Sequence, residues 1–180
     1  TLFPRDMTRI DIRLAHLQNS KKVSMSKNSV FEKITKSLDD NLITYKTFEH
    51  EPVFTSEQAA KVRGTNVDHG AKALIMIADD QPIMLVISAA YRVDTKQVKK
   101  LFKIKDLKMA APEEVEKYTG TKIGAVPPFG NIFGLPTFLD DTLSKYNKIV
   151  FNAGLHTKSI EISYQDYLKI VKPRMGSFHQ

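Results

Sequence analysis

Few residues in this chain are arranged for chemistry, and the arrangements it lacks narrow the field. There is no cysteine, which excludes a disulfide scaffold, a thiolate metal site and a thiol nucleophile. No G-x-S-x-G elbow, G-K-[ST] phosphate loop or H-E-x-x-H helix occurs. His16, His50, His69, His156 and His179 are scattered without metal-ligand spacing, so neither a metal nor a cofactor is expected. The unusual segment runs from Gly120 to Pro136, with four glycines and three prolines interleaved with Ile123, Val126, Phe129 and Leu135. Glycine admits close approach to the backbone and proline fixes the chain. That combination suits a rigid wall offering N–H groups to a developing oxyanion, and it equally suits a buried loop packed by its own side chains. Lys72, after Gly70-Ala71 at the mouth of an apolar run, either snorkels to solvent or places a cation in a pocket. Asp140-Asp141 reads as a helix cap or as pocket carboxylates, and Asn152-Ala153-Gly154 as a turn.

Regular elements must hold these residues in place. Ser29 to Glu32 has the form of a capping box, followed by Val30, Phe31, Ile34 and Leu38 at helical spacing. A strand is predicted over 42–48, and a second capping box, Thr55 to Gln58, opens a short helix that stops before Gly64. Ala73 to Ile77 and Ile83 to Ile87 read as a hairpin of buried strands joined by Asp79-Asp80-Gln81-Pro82. Asp94 caps a helix with Val98, Leu101 and Phe102 inward. Pro112 starts another that Gly120 closes. Strands near 147–152 and 158–162 precede a last helix, capped by Ser163 and ended before Pro173. The order shows no strict βαβ alternation and no repeat, which predicts an α+β domain whose sheet curls around a pocket.

Residues 1–28 differ from the rest. Gln18 to Asn28 is polar without a sustained period and reads as a linker or arm, leaving 29–180 as the domain. Thr1 rather than Met opens the chain, as expected for a piece of a longer protein or a processed one, and Met25 marks an internal boundary. Arg5, Arg9 and Arg13 are not followed by an apolar stretch, so no secretory signal is expected. No run approaches the roughly 20 apolar residues that span a bilayer. A cytoplasmic location without membrane association is the expectation. Twenty-seven Lys+Arg against 20 Asp+Glu give a net charge of +7, an excess that attracts polyanions.

Read in order, several segments resemble the YbaK/ProX family of aminoacyl-tRNA deacylases. They are His50-Glu51-Pro52-Val53 with Thr55-Ser56-Glu57, Gly70-Ala71-Lys72-Ala73-Leu74, Arg92-Val93-Asp94, and Ala111 to Val115. Gly124-Ala125-Val126-Pro127-Pro128-Phe129-Gly130, Leu139-Asp140-Asp141-Thr142-Leu143 and Asn152-Ala153-Gly154 complete the set. The resemblance covers roughly residues 30 to 172. It implies a mixed, partly closed, barrel-like β-sheet flanked by helices. It also implies hydrolysis, in trans, of the ester between a wrong amino acid and the terminal adenosine of a tRNA, with a tRNA(Pro)-type substrate expected. Lys72 matches the family's essential lysine. Gly124 and Ala125 would join it in catalysis, in a loop where Val126, Pro127, Pro128 and Phe129 hold the substrate. His50, Thr55, Asp140, Asn152, Ala153, Gly154 and His156 would complete the binding site. The attacking group would come from the substrate, so no protein nucleophile is implied. The chain departs from the family pattern at Ala73 and Ala125, which border the pocket, and residues 1–28 have no counterpart.

Partners follow from that reading: aminoacyl-tRNA, and an aminoacyl-tRNA synthetase if the domain edits beside or within one. Lys96, Lys99, Lys100 and Lys103, on the helix bearing Val98 and Phe102, would contact tRNA phosphates or simply form a solvated face. The alternatives to editing in trans are a cis-editing domain of a larger synthetase and an inactive tRNA-binding module.

Overall fold

A computed structural model describes residues 29–180. The arm or linker expected over residues 1–28, and with it His16, lies outside the described residues.

The helix starts are where local chemistry puts them. In α1 (Val30–Asp40) the Ser29 hydroxyl accepts from Glu32 N and the Glu32 carboxylate accepts from Ser29 N, and Ile34 and Leu38 are buried. Thr55 and Gln58 make the same reciprocal pair at α2 (Ser56–Arg63), which ends on Gly64. Asp94 caps α3 (Thr95–Phe102), Pro112 opens α4 (Pro112–Thr119), and Ser163 caps α5 (Tyr164–Val171). Strand β1 (Tyr45–Glu49) starts later than predicted, because Asn41 and Leu42 fold back to close α1, with Leu42 N donating to Asp39 O. The hairpin β2 (Ala71–Ala78) and β3 (Gln81–Ser88) turns on Asp79 and Asp80, both at positive φ, the geometry that matches strand twist in a two-residue loop.

Three strands carry too few residues to show a period: β4 (Leu107–Met109), β5 (Thr137–Asp140) and β8 (Arg174–Gly176). With β6 (Lys148–Leu155) and β7 (Lys158–Ser163) they build two sheets. One has the order β4-β2-β3-β5-β8, antiparallel from β4 to β3 and parallel from β3 to β8, and the other is antiparallel with the order β1-β7-β6. The α+β class stands, but the expected barrel-like closure does not. Closing a barrel needs a continuous hydrogen-bonded seam. Among the described residues the two sheets share one isolated bridge, Gly70 with Val150, and the longer sheet ends on three-residue edges.

Alternation along the strands separates two apolar layers. Ala71, Ile75 and Ile77 of β2, Met84 and Val86 of β3 and Leu139 of β5 face the main core, with β6, β7, α1 and α5. Met76 and Ala78, Ile83 and Leu85, and Phe138 face the other way, against Val98 and Phe102 of α3 and Phe178. Leu101, expected inward, is 46% exposed, because Val98 and Phe102 already fill the narrow stripe that an eight-residue helix presents. No helix described is long and apolar enough to cross a membrane.

Candidate active site

Strand β4 pairs only with Met76–Ala78 of β2, so the preceding edge of β2 is open. A cavity of about 230 Å³ fills that gap, and all of Ala71 to Ile75 line it. Such a volume admits the end of a chain rather than a folded polymer. One wall is the face of α2 bearing Ser56, Ala59, Ala60 and Arg63, which helical spacing puts on one side. Val150, Phe151 and Asn152 of β6 form a second wall, and Ile123, Gly124 and Val126 a third.

Two cations stand in this largely apolar space. Lys72 is half-buried, and its Nζ donates to the Tyr91 carbonyl at 2.9 Å. Burial holds its pKa below the ordinary lysine value, Glu57 raises it and Arg92 lowers it further. Arg63, at the end of α2, donates through Nε to Ser159 Oγ at 2.8 Å and through Nη2 to Asn152 Oδ1. Burial brings its pKa down to about 10, so it is still a cation at neutral pH. No carboxylate among the described residues forms an ion pair with either group. Desolvated charges without a partner are unfavourable, and at a pocket wall they favour an anionic or electron-rich ligand.

The glycine–proline loop packs its own side chains inward and also lines the cavity. Ala125, Phe129 and Pro128 turn inward, with Phe129 fully buried against Phe151 and Tyr167, and the Pro128 carbonyl accepts from Tyr167 Oη at 2.7 Å. Gly124 and Val126 face the cavity. Three successive carbonyls are held by donors of β6 and its turn: Ile123 O by His156 Nε2 at 3.0 Å, Gly124 O by Asn152 Nδ2 at 2.5 Å, and Ala125 O by Gly154 N at 3.0 Å. In a trans peptide the N–H points opposite to its C=O. The N–H groups of Gly124 and Val126 therefore turn from that side, and neither donates to an acceptor among the described residues. Ala125 N donates to Lys122 O at 3.0 Å, so the oxyanion donor expected there is engaged. Gly124 has φ +83, a conformation side chains rarely adopt, and an added Cβ would sit 3.3 Å from His156 Nε2.

The remaining expected site residues are distributed as follows. Thr55 lines the cavity but its hydroxyl caps α2. Asn152, Ala153 and Gly154 are not a turn: they lie within β6, where a register shift between Asn152 and Leu155 lets Gly154 meet the loop. Ala153 is buried and Pro127 points into the core with its neighbours. His50 sits outside the cavity, with Nδ1 2.8 Å from the Glu51 carbonyl and Nε2 2.7 Å from Ser159 Oγ. A carbonyl only accepts, so in the neutral ring Nδ1 carries the proton and Nε2 accepts from Ser159. His156 and His50 thus support the site from behind.

Asp140 is not a pocket residue. It is completely buried, accepts from Thr142 N at 2.9 Å and Phe178 N at 2.6 Å, and faces His179 Nδ1 at 3.1 Å. It caps a turn and anchors residues 178 and 179. Asp140, Asp141 and His179 have ligand-type atoms within 4.8 Å of one another, and the hydrogen bonds just named account for Asp140. Lys96, Lys99, Lys100 and Lys103 belong to α3 or its cap, which covers the sheet face opposite the cavity wall. They do not meet the other site residues.

Sequence reasoning missed Arg63, Ser159 and Tyr91. Arg63 in the last turn of a short helix looks like a solvated dipole partner, and 96 positions separate it from Ser159. Only the packing of α2 on β6 and β7 brings them together.

Comparison with known proteins agrees with this geometry. The family model described as an aminoacyl-tRNA editing domain matches residues 50–170. The multifunctional Ser/Thr-tRNA deacylase ProXp-y of Escherichia coli is 30% identical over 162 residues, covering 87% of this chain and 97% of that protein. The prolyl-tRNA editing protein ProX of Acetoanaerobium sticklandii is 27% identical over 147 residues, covering 78% of this chain and 90% of that protein. A crystal structure assigned provisionally as a trans-editing enzyme for prolyl tRNA synthetase matches with a TM-score of 0.75 at 23% identity. It covers 86% of this chain and 99% of that one, a likeness of fold. The match over residues 50–170, together with 30% identity to a deacylase covered over 97% of its length, places this chain in the aminoacyl-tRNA editing domain family.

Proposed function

We propose that the protein hydrolyses the ester linking a wrongly attached amino acid to the 3′ end of a tRNA. The observation that carries this reading is that one small cavity is lined both by the half-buried Lys72 and by Gly124 and Val126, whose N–H groups donate to no acceptor among the described residues. Among the described residues no histidine lines the cavity, and the proton relay is assigned to the substrate itself, whose ribose hydroxyl beside the ester is suitably placed. Water attacks the ester carbonyl carbon while that hydroxyl relays its proton. The carbonyl oxygen gains charge facing the two N–H groups, the acyl C–O bond breaks, the ribose oxygen takes one proton of the water, and the released acid gives the other to solvent and leaves as a carboxylate. An activated ester demands only positioning and a stabilised oxyanion. The names of the relatives make seryl, threonyl and mischarged prolyl tRNAs the first substrates to examine. A deacylation screen over a panel of mischarged tRNAs tests the reading. Release of amino acid well above the uncatalysed rate from at least one member is expected, and release from none would refute it.

Docking of the tRNA body is assigned to the lysines of α3. They lie across the sheet from the cavity, so they would contact phosphates well away from the reacting end. Changing Lys99, Lys100 and Lys103 together to Glu should raise the KM for whole charged tRNA far more than it lowers kcat, leaving a minimal aminoacyl-adenosine ester unaffected. Each lost phosphate contact should reduce the salt slope by roughly 0.7 to 0.9. Unchanged KM across a salt series would move the docking face elsewhere.

A further inference from the structure

Arg63 is the residue whose placement the reaction leaves unexplained. It is a cavity-wall cation with no ion-pair partner among the described residues, and its bonds go to neutral groups. Those bonds have a direction. The His50 ring takes the Ser159 proton, which leaves the Ser159 oxygen to accept from Arg63 Nε. The Arg63 guanidinium has only donors, so the atom of Asn152 beside it must be the amide oxygen, and Nδ2 is left facing Gly124 O at 2.5 Å. The orientation of that amide is therefore dictated from the α2 side, and it holds the carbonyl of the peptide that lies between the two carrying the Gly124 and Val126 N–H groups.

We infer that Arg63 is a positioning residue: through Asn152 it fixes the Gly124 peptide so that the neighbouring N–H groups meet the developing oxyanion. The inference rests on the deacylase reading and adds to it a residue that acts without touching the reacting atoms. It also accounts for the absence of a carboxylate partner. A carboxylate in place of the Asn152 amide would satisfy Arg63 better, yet it has no proton to give Gly124 O.

That opposition supplies the test. In Asn152→Asp, a buried ion pair forms with Arg63 while two acceptors are set against each other at Gly124. Thermal stability should be equal to or above wild type, kcat should fall tenfold or more on the tRNA found in the screen, and KM should stay within about twofold. In Arg63→Ala, kcat should fall similarly and recover in part when guanidinium is added at millimolar, non-denaturing concentration. The amide NMR resonances of Gly124 and Val126 should shift in both variants, a readout that needs no activity. If wild type deacylates nothing, the proposed function fails, and those resonances still decide whether Arg63 sets the loop. Wild-type kcat in Asn152→Asp, unmoved resonances, or an Arg63→Ala variant that loses only KM would overturn the inference. Loss confined to KM would make Arg63 a substrate contact instead. Should Asn152→Asp not fold, Arg63→Ala and its rescue decide alone.

Discussion

Lys72→Ala should lose at least about 1,000-fold in kcat/KM on a mischarged tRNA, at the upper end of what one preorganised electrostatic contact supplies, while its melting temperature moves by less than about 3 °C. The two halves of that expectation have one cause. The ammonium is half-buried without an ion-pair partner, and its contact is a single bond to the Tyr91 carbonyl, so the fold gains little from it. Its pKa lies below the ordinary 10.5, chiefly through burial. Between that lowered value and 10.5 the unfolded chain binds the proton more readily, and stability from this group rises with pH across the window. Activity runs the other way, since the cation is lost as pH climbs through the lowered value. After subtraction of uncatalysed hydrolysis, the alkaline limb of kcat/KM should therefore fall earlier than for a free lysine. Arg92→Ala should move it later and Glu57→Gln earlier, because Arg92 lowers the pKa and Glu57 raises it. Wild-type turnover by Lys72→Ala, or a limb indifferent to both neighbours, would remove the ammonium from the mechanism.

Gly124→Val should cost on the order of 100-fold or more in single-turnover rate, the size of one lost oxyanion donor. Two effects combine: φ at +83 disfavours any side chain, and the new Cβ crowds His156 Nε2, which holds the Ile123 carbonyl. Strain alone is not the explanation to be tested, and Gly134 separates the two. It has φ +68 with nothing within 4 Å of an added Cβ, and it does not line the cavity. Gly134→Ala should thus lose stability by about 1 kcal/mol or somewhat more from the left-handed backbone, yet keep the rate. Gly124→Ala should lose both. Equal rates for the two alanine variants at equal stability would make the loop a structural wall only.

Local chemistry was legible in the sequence because it depends on neighbours a few positions away. The reciprocal caps at Ser29–Glu32 and Thr55–Gln58, the Asp79-Asp80 hairpin and the proline start of α4 all follow from nearby partners. The YbaK/ProX resemblance likewise picked out Lys72 and the glycine–proline loop, whose segments occur in a fixed order. What the chain could not disclose is which way each group points once distant strands meet. Asp140 followed a family motif yet turned into the core to hold residues 178 and 179, because a buried carboxylate goes where backbone donors converge. Ala125 and Val126 are adjacent and chemically alike, and only the folded loop decides that Ala125 N donates to Lys122 O while the Val126 N–H is left free. The expected barrel failed for the same reason, since closure depends on edge pairing between β2 and β6 that no local signal encodes. Sequence by itself thus determined the longer elements, and at the site the lysine and the glycine–proline loop. Tertiary structure decided the open edge of β2, the inward turn of Arg63 and the direction of the donors, because these are set by contacts between residues dozens of positions apart.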